Sequence, residues 1–215
     1  LAGEKESLGS FLSGHPMDVY TEEICSLCPK TLDQLESGKK RQWIAGIASN
    51  IRFMQSKQGK PICFFALSDN SAFIEASVPP ECYEKCASTI RDGDILLVEC
   101  EIQPDRFTNG LVARVQNVIS IDEYREKFIH SVVIHVDEKA WGSGLVDALK
   151  ENLDFAGVTQ GRHRLSLLYD DGLHETTIFL GENWGFDLTD DLLFSLRSAF
   201  GQDNVKLNYV DVKSN

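Results

Sequence analysis

No apolar run in these 215 residues approaches the roughly 18 that a membrane-spanning helix needs; the longest, Ile62 to Leu67, has only the length of a strand. The opening Leu1-Ala2-Gly3-Glu4-Lys5-Glu6 lacks the basic and apolar regions of a signal peptide. It also lacks an initiator Met, so a piece cut from a longer chain is expected. Six prolines and 16 glycines are too few for a collagen-like or disordered chain, and 42% hydrophobic with 25% charged residues is globular composition. Motifs that carry catalysis are missing as well: there is no Walker A loop, GxGxxG or GxSxG. The five histidines (15, 130, 135, 163 and 174) are scattered. His130 and His135 lie five apart on one predicted strand, point to opposite faces and cannot share a ligand. Asp170, Asp171, Asp190 and Asp191 fall on turns and in a helix first turn, where acids have structural roles. With no nucleophile, metal cluster or acid/base pair visible, these residues are expected to be non-catalytic and to need no cofactor.

Six cysteines without a secretory signal point to reduced thiols in a cytosol. Cys25-Ser-Leu-Cys28 and Cys82-Tyr-Glu-Lys-Cys86 have spacings a zinc site could use. Neither sits in a Gly-rich knuckle, Cys82 and Cys86 are one helical turn apart, and Pro29 follows Cys28 at once. Buried thiols are the expectation, with no metal.

The net charge of −12 divides as −3 over residues 1–40, −2 over 41–122 and −7 over 123–215. Phosphate neutralisation supplies most non-specific nucleic-acid affinity, so only a local patch in the middle segment could bind such a ligand. The final third would repel phosphate and suits a protein partner with a basic surface.

Punctuation along the chain gives three segments. Residues 1–40 read as a helical connector: Leu8, Phe11 and Leu12 form one face, Ser13-Gly14-His15-Pro16 stops the helix, and a short helix is expected around Leu32 to Leu35. Residues 41–122 read as strands Trp43–Met54, Ile62–Leu67 and Ala72–Val78, a helix from Glu81 to Ile90, and strands Ile95–Ile102 and Leu111–Ile119. Three strands, a helix and two strands are the order of an OB-fold, a five-stranded Greek-key barrel, with a split sandwich as the other pattern allowed. Residues 123–215 read as a small α+β domain. Its strands are Phe128–Val136, Arg164–Tyr169, Glu175–Leu180 and Val205–Val210. One helix is capped by Ser143 with Val146, Leu149 and Leu153 inward, the other by Thr189 with Leu193, Leu196 and Phe200 inward. That βαββαβ sequence is the ferredoxin-like order.

Arg52, Lys57 and Lys60 cluster at the end of the first barrel strand and its loop, Arg106 lies in the loop between the fourth and fifth strands, and Arg114 lies on the fifth. Phe53, Phe64, Phe65 and Phe73 are interleaved with them, although period-2 alternation sends one of Phe64 and Phe65 inside. Cations beside aromatic faces are how OB-folds hold single strands. The candidate nucleic-acid site is therefore Arg52, Phe53, Lys57, Lys60, Phe65, Arg106 and Arg114, with weak, salt-sensitive binding of single-stranded DNA expected. In the last segment Trp184 and Phe186 are candidate interface anchors. Leu207 and Tyr209 lie on a final strand that could accept a partner by strand addition.

Several stretches resemble a known family. Leu8-Gly9-Ser10-Phe11-Leu12-Ser13-Gly14-His15-Pro16-Met17-Asp18 is similar to the LGxxLxGHPxD segment of the bacterial replicative DNA polymerase III alpha subunit. Arg52 to Gly59 resembles its R-x-x-x-T-K-R-G loop, and Leu67-Ser68-Asp69-Asn70-Ser71 its L-x-D-x-[ST]-G turn. Asp105 to Leu111, Ala113-Arg114 and Ile121-Asp122-Glu123 resemble D-D-F-S-G-G-L, A-R and [LI]-D-E. These run in family order across residues 1–127; in the tail Trp184, Asp190, Leu192, Leu193 and Leu207 fall where the family's closing α+β domain would put them.

The resemblance implies the non-catalytic C-terminal end of that cytoplasmic bacterial polymerase. The OB module would contact the single-stranded template, and the last domain would bind the tau subunit of the clamp loader. The palm, with its metal-binding aspartates and Mg2+, and the sliding-clamp motif would lie outside these residues. Arg52, Lys57 and Arg114 match basic family positions. Gln58 stands where the family often has a second basic residue, which lowers the expected DNA affinity, and Asn70-Ser71-Ala72 replaces the usual Ser-Gly turn. The alternative from strand pattern alone is a free-standing OB module for tRNA or single-stranded DNA with an unrelated dimerisation domain. The LGxxLxGHPxD-like segment argues against it.

Overall fold

The computed structural model describes residues 16–55, 59–105, 110–138, 140–142, 144–153, 161–181 and 184–210. The expected helix around Leu8 to Leu12, the Ser143 cap, Lys57 and Arg106 lie outside the described residues. Two compact units divide the chain, one running to Ile121 and the next starting at Asp122. Among the described residues no helix is long and apolar enough to cross a membrane.

The first unit opens with helix α1 (Asp18–Ile24) and a 3-10 turn over Leu32–Gln34. Strands β1 (Gly38–Gln55), β2 (Pro61–Ser68) and β3 (Phe73–Val78) precede helix α2 (Pro80–Cys86), and β4 (Ile95–Pro104) and β5 (Leu111–Ser120) follow it. Around the ring the order is β1-β2-β3-β5-β4, and β4 returns to β1, so the sheet closes as a barrel. All pairings are antiparallel except the short β3–β5 contact, Glu75 to Ser77 against Val112 to Arg114. This is the expected OB topology.

Closure depends on β1 serving two partners: Gln42 to Ile47 pair with β4, and Ile47 to Gln55 pair with β2. At the crossing, a Cβ on Gly46 would stand 2.7 Å from the Ser68 carbonyl oxygen, so only glycine fits. Alternation then fills the interior with Cys63, Phe65 and Leu67 from β2, Ile74, Ala76 and Val78 from β3, and Val98, Cys100 and Ile102 from β4. Leu32 and Leu35 plug the same core, and α2 adds Cys86. The expected connector is thus packed against the barrel, and its last residues, Gly38 to Lys40, already belong to β1.

The second unit begins with α3 (Ile121–Phe128), which the sequence reading passed over. Its acids Asp122 and Glu123 precede Arg125 and Lys127, the order that complements a helix dipole, and Lys127 reaches Glu123 at 3.1 Å. Then come β6 (Ile129–Asp137), α4 (Leu145–Leu153), β7 (Arg164–Asp170), β8 (Glu175–Phe179), α5 (Asp190–Phe200) and β9 (Val205–Tyr209). The βαββαβ sequence of elements stands, but the sheet order is β8-β7-β6-β9, with β6 and β7 parallel neighbours. A ferredoxin-like split unit would place another strand between them. Here the crossover through α4 joins adjacent strands, and β8 and β9 take the edges. On α4 the buried stripe is Leu145, Leu149 and Leu153, while Val146, expected inward, is exposed. The Thr189 hydroxyl caps α5 as expected, accepting from the Leu192 N–H at 3.2 Å.

Candidate nucleic-acid interface

The register of the barrel strands arranges outward side chains in rows. Arg52 on β1 lies opposite Phe64 on β2, Phe64 opposite Ser77 on β3, Ser77 opposite Arg114 on β5, and Arg114 opposite Glu101 on β4. The next row runs Ser49, Ala66, Glu75, Val112 and Gln103, and the one beyond it joins Ile47, Ser68 and Phe73. With strands about 4.8 Å apart, Arg52 and Arg114 stand about 14 Å from each other along one row.

A β-bulge places Arg52 in that row. Between Ser49 and Arg52 the β1–β2 register shifts, and Asn50 adopts a left-handed φ of 56°. The turn before β4 holds the bulge: the Asn50 N–H donates to Asp92 Oδ1 at 3.0 Å, and the Gly93 N–H donates to the Ala48 carbonyl at 2.8 Å. Beside it opens a cleft of about 660 Å³ lined by Ser49, Asn50, Ile51, Arg52, Ala66, Ser68, Phe73 and Glu75. Arg52 lies over the Phe64 ring, 5.6 Å from its centroid, and pairs with Glu75 across β2. Phe73 at the cleft edge is 81% exposed. A cation, two aromatic faces and small polar side chains on one open surface are suited to stacking bases beside a backbone.

Asp69 fixes the end of this surface. Its carboxylate accepts from the N–H of Leu32, the N–H and hydroxyl of Ser71, and the N–H of Ala72, all at 2.6 to 2.9 Å. Burial acts to raise its pKa, but the bonds from Ser71, Leu32 and Ala72 outweigh that, and the net shift is downward. The turn that presents Phe73 is thereby tied to the segment before β1.

The sequence candidates divide accordingly. Arg52 lines the cleft. Arg114 shares its row on the outer barrel surface, without lining the cleft. Lys60 is exposed after the β1–β2 loop. Phe65 is 1% exposed and fills the barrel, so it cannot stack on a base; its neighbour Phe64 faces outward instead. Phe53 is exposed but turns away from Arg52, its ring meeting Tyr83 of α2 edge-on at 5.3 Å. Phe73 and Glu75 lie outside the candidate set read from the sequence, although strict alternation from Phe64 across the Asp69 turn places both outward.

The cysteine spacing has a packing cause. Cys86 enters the barrel core and its thiol bonds back to the Cys82 carbonyl at 3.2 Å, while Cys25 is exposed. Burial, with Cys100 nearby, pushes the Cys28 thiol up to about 12, and burial with Glu99 does the same to Cys100. Such thiols stay protonated at neutral pH and are poor ligands. Among the described residues no group of three or more His, Cys, Asp or Glu could hold a metal ion.

In the second unit a buried polar network runs beside Phe186, an expected interface anchor. Arg125 of α3, 1% exposed, pairs with Asp190 in the first turn of α5 at 2.8 Å. His163 Nδ1 accepts from the Leu188 N–H at 3.2 Å and lies 3.2 Å from the Phe186 carbonyl oxygen, and Nε2 stands 3.1 Å from the Arg125 carbonyl oxygen. His163 and Phe186 bridge through both backbone groups, and a Cβ on Gly161 would lie 2.0 Å from the Phe186 carbonyl carbon. Phe186 is therefore core, 1% exposed, and not an interface anchor. Trp184 is half-buried. Leu207 and Tyr209, both half-buried, lie on β9, an edge strand as expected. The large exposed apolar side chains of this unit include Leu173, Phe179 on edge strand β8 and Phe194 on α5.

Residues 42–126 match the family of OB-fold nucleic acid binding domains that includes tRNA anticodon-binding modules. The DNA polymerase III alpha subunit of Pseudomonas aeruginosa is 34% identical over 214 residues, and that of Escherichia coli K12 is 28% identical over 213. Each comparison covers 97% of this chain and 18% of the relative, so the chain spans less than a fifth of the length of those proteins. Among solved structures, the single-stranded DNA binding protein of Thermus aquaticus is 25% identical, with a TM-score of 0.33 over 40% of this chain and 43% of that one. The relationship to the polymerase subunits extends through both units, which an OB module with an unrelated second domain would not produce. Over 97% of its length the chain is similar to a segment of bacterial DNA polymerase III alpha subunits, and its residues 42–126 match the OB-fold nucleic acid binding domain family.

Proposed function

We propose that this chain is a non-catalytic C-terminal part of a DNA polymerase III alpha subunit, acting in the bacterial cytoplasm, whose barrel contacts single-stranded template DNA. The arrangement that carries the reading is one barrel face on which Arg52, lying over the Phe64 ring, lines an open cleft together with Phe73. Bases stack on the rings while the guanidinium meets the backbone, each stacked base being worth about 1–3 kcal/mol. Affinity is low because the unit is net acidic, and it falls with salt. Fluorescence anisotropy with labelled oligo(dT) across a salt series tests this. Weak binding that weakens further with salt and in Arg52→Ala supports it; binding unaffected by Arg52→Ala moves the site elsewhere.

The second unit, on the same reading, tethers the polymerase to the tau subunit of the clamp loader. The net charge of −7 over residues 123–215, the edge strands β8 and β9 and the exposed Phe179 and Phe194 favour a protein partner with a basic docking surface. Calorimetric titration with the C-terminal part of tau, repeated with Trp184→Ala and Phe179→Ala, tests the assignment. Absence of binding by the folded chain would remove it.

A further inference from the structure

Arg52, the cation best placed to meet a phosphate, is already occupied. Its guanidinium reaches from β1 over the whole width of β2 to Glu75 on β3, and the bridge passes across the Phe64 ring. Both partners are partly exposed, 56% and 42%, so water and ligand reach the pair. The same geometry covers the Phe64 face and places a carboxylate in the cleft wall, between the aromatic side chains that would receive bases.

We infer that Glu75 is a built-in competitor for nucleic-acid phosphate: it holds Arg52 across Phe64, and a single strand binds by taking Arg52 from it. This rests on the reading that the cleft face binds single strands. An exposed ion pair is worth only a fraction of a kcal/mol to about 1, so a phosphate can displace it. Displacement releases the cation to the backbone and uncovers the ring in one step, coupling the two contacts. Glu75 thereby keeps the site weak, and a strand that cannot offer both a phosphate at Arg52 and a base at Phe64 gains little from opening it.

The test uses the 215-residue chain and oligo(dT) of about 16 nucleotides, the upper end of the site size for one OB-fold. Anisotropy titrations across a salt series compare the wild type with Glu75→Gln, Arg52→Ala and the double variant. Glu75→Thr serves as a second neutral replacement suited to a strand, and circular dichroism checks folding. On a salt slope of about −0.7 per single-strand phosphate contact, one freed cation tightens binding about fivefold at about 0.1 M salt, with a correspondingly steeper slope. Glu75→Gln and Glu75→Thr should both show this gain, and in the Arg52→Ala background it should shrink below about twofold, since a carboxylate without its guanidinium only repels. An equal gain in both backgrounds would reduce Glu75 to simple repulsion and overturn the inference. So would wild-type binding that neither replacement improves, which leaves the cleft reading intact. Failure of every protein to bind at the lowest salt would instead sink the cleft reading, and this inference with it.

Discussion

In the barrel every strand has two neighbours, because the long, bent β1 pairs with both β2 and β4 and the short β3–β5 contact completes the ring. Among the described residues the second sheet has four strands, with β8 and β9 at its edges. Their interiors differ in the same sense. The barrel core consists of aliphatic residues, Phe65 and cysteines. The second unit buries Arg125 and His163, each tied to groups on other elements. A closed ring fixes its own register, since slipping one strand would break pairings all the way round. An open sheet with helices laid over it lacks that constraint. There, directional bonds from His163 to the 186–188 segment and from Arg125 to Asp190 specify where α3 and α5 meet. The contrast extends to function: a barrel without edges offers a face, and an open sheet offers edges as well.

The largest effect expected is a break in the barrel alone. Gly46→Val drives a side chain into the Ser68 carbonyl and the Leu67 side chain, a clash within 3 Å that backbone on both strands must relieve. A cost of about 3 kcal/mol is expected. Hydrogen exchange read by mass spectrometry should lose protection through β1, β2 and β4 while β6 and β7 keep theirs. Equal losses in both units would mean that they do not unfold separately.

The converse break is His163→Ala. It strands the Leu188 N–H and the Arg125 carbonyl in a buried site, at about 2 kcal/mol for the pair. Exchange should accelerate in β7 and α5 with the barrel unchanged. Should the protection of α5 survive, the network would be an accessory to packing and not what sets the helix position.

Acid should separate the two regions more gently. The folded Asp69 has a pKa below its unfolded value, so its contribution is complete above the usual carboxylate range near about 3.9 and disappears as pH falls through the lower folded value. Asp69→Asn should therefore cost the barrel about 1 kcal/mol at neutral pH, and the difference from wild type should close below about pH 4. Parallel pH profiles down to the lowest pH would show that the carboxylate's charge is irrelevant to the turn.

Much of the barrel was legible because its strands alternate strictly and are punctuated by Gly, Pro and Asp turns. Boundaries moved where tertiary contacts decide. α2 stops at Cys86, although Ile90 continues the apolar spacing, because the Thr89 and Ile90 N–H groups both close onto the Cys86 carbonyl as a turn. α3 went unseen because its signal is charge order and not an apolar stripe. The second sheet could not be read from element order at all: βαββαβ serves both a split and an unsplit crossover, and only strand pairing separates them. At the candidate site, Arg52 was legible as a basic residue beside a loop, but its pairing with Glu75 depends on a bulge and on a reach across β2. Phe65 was misplaced because two adjacent phenylalanines fit either phase of the alternation until the register is known.

That phase gives the smallest stability change expected, and the most informative one. Phe65 and Phe73 lie on neighbouring strands, one inside the barrel and one almost entirely in water. Phe65→Ala opens a cavity in the barrel core and should destabilise it on the scale of Gly46→Val. Phe73→Ala should stay within about 0.5 kcal/mol of wild type, because an exposed ring gains nothing from folding. If the ring stacks on a base, its loss should still weaken oligo(dT) binding by about 1 kcal/mol or more, roughly fivefold. A residue that costs nothing to fold and something to bind is placed for the ligand. Unchanged affinity in Phe73→Ala would confine base stacking to Phe64, beneath Arg52, and narrow the interface to that one row.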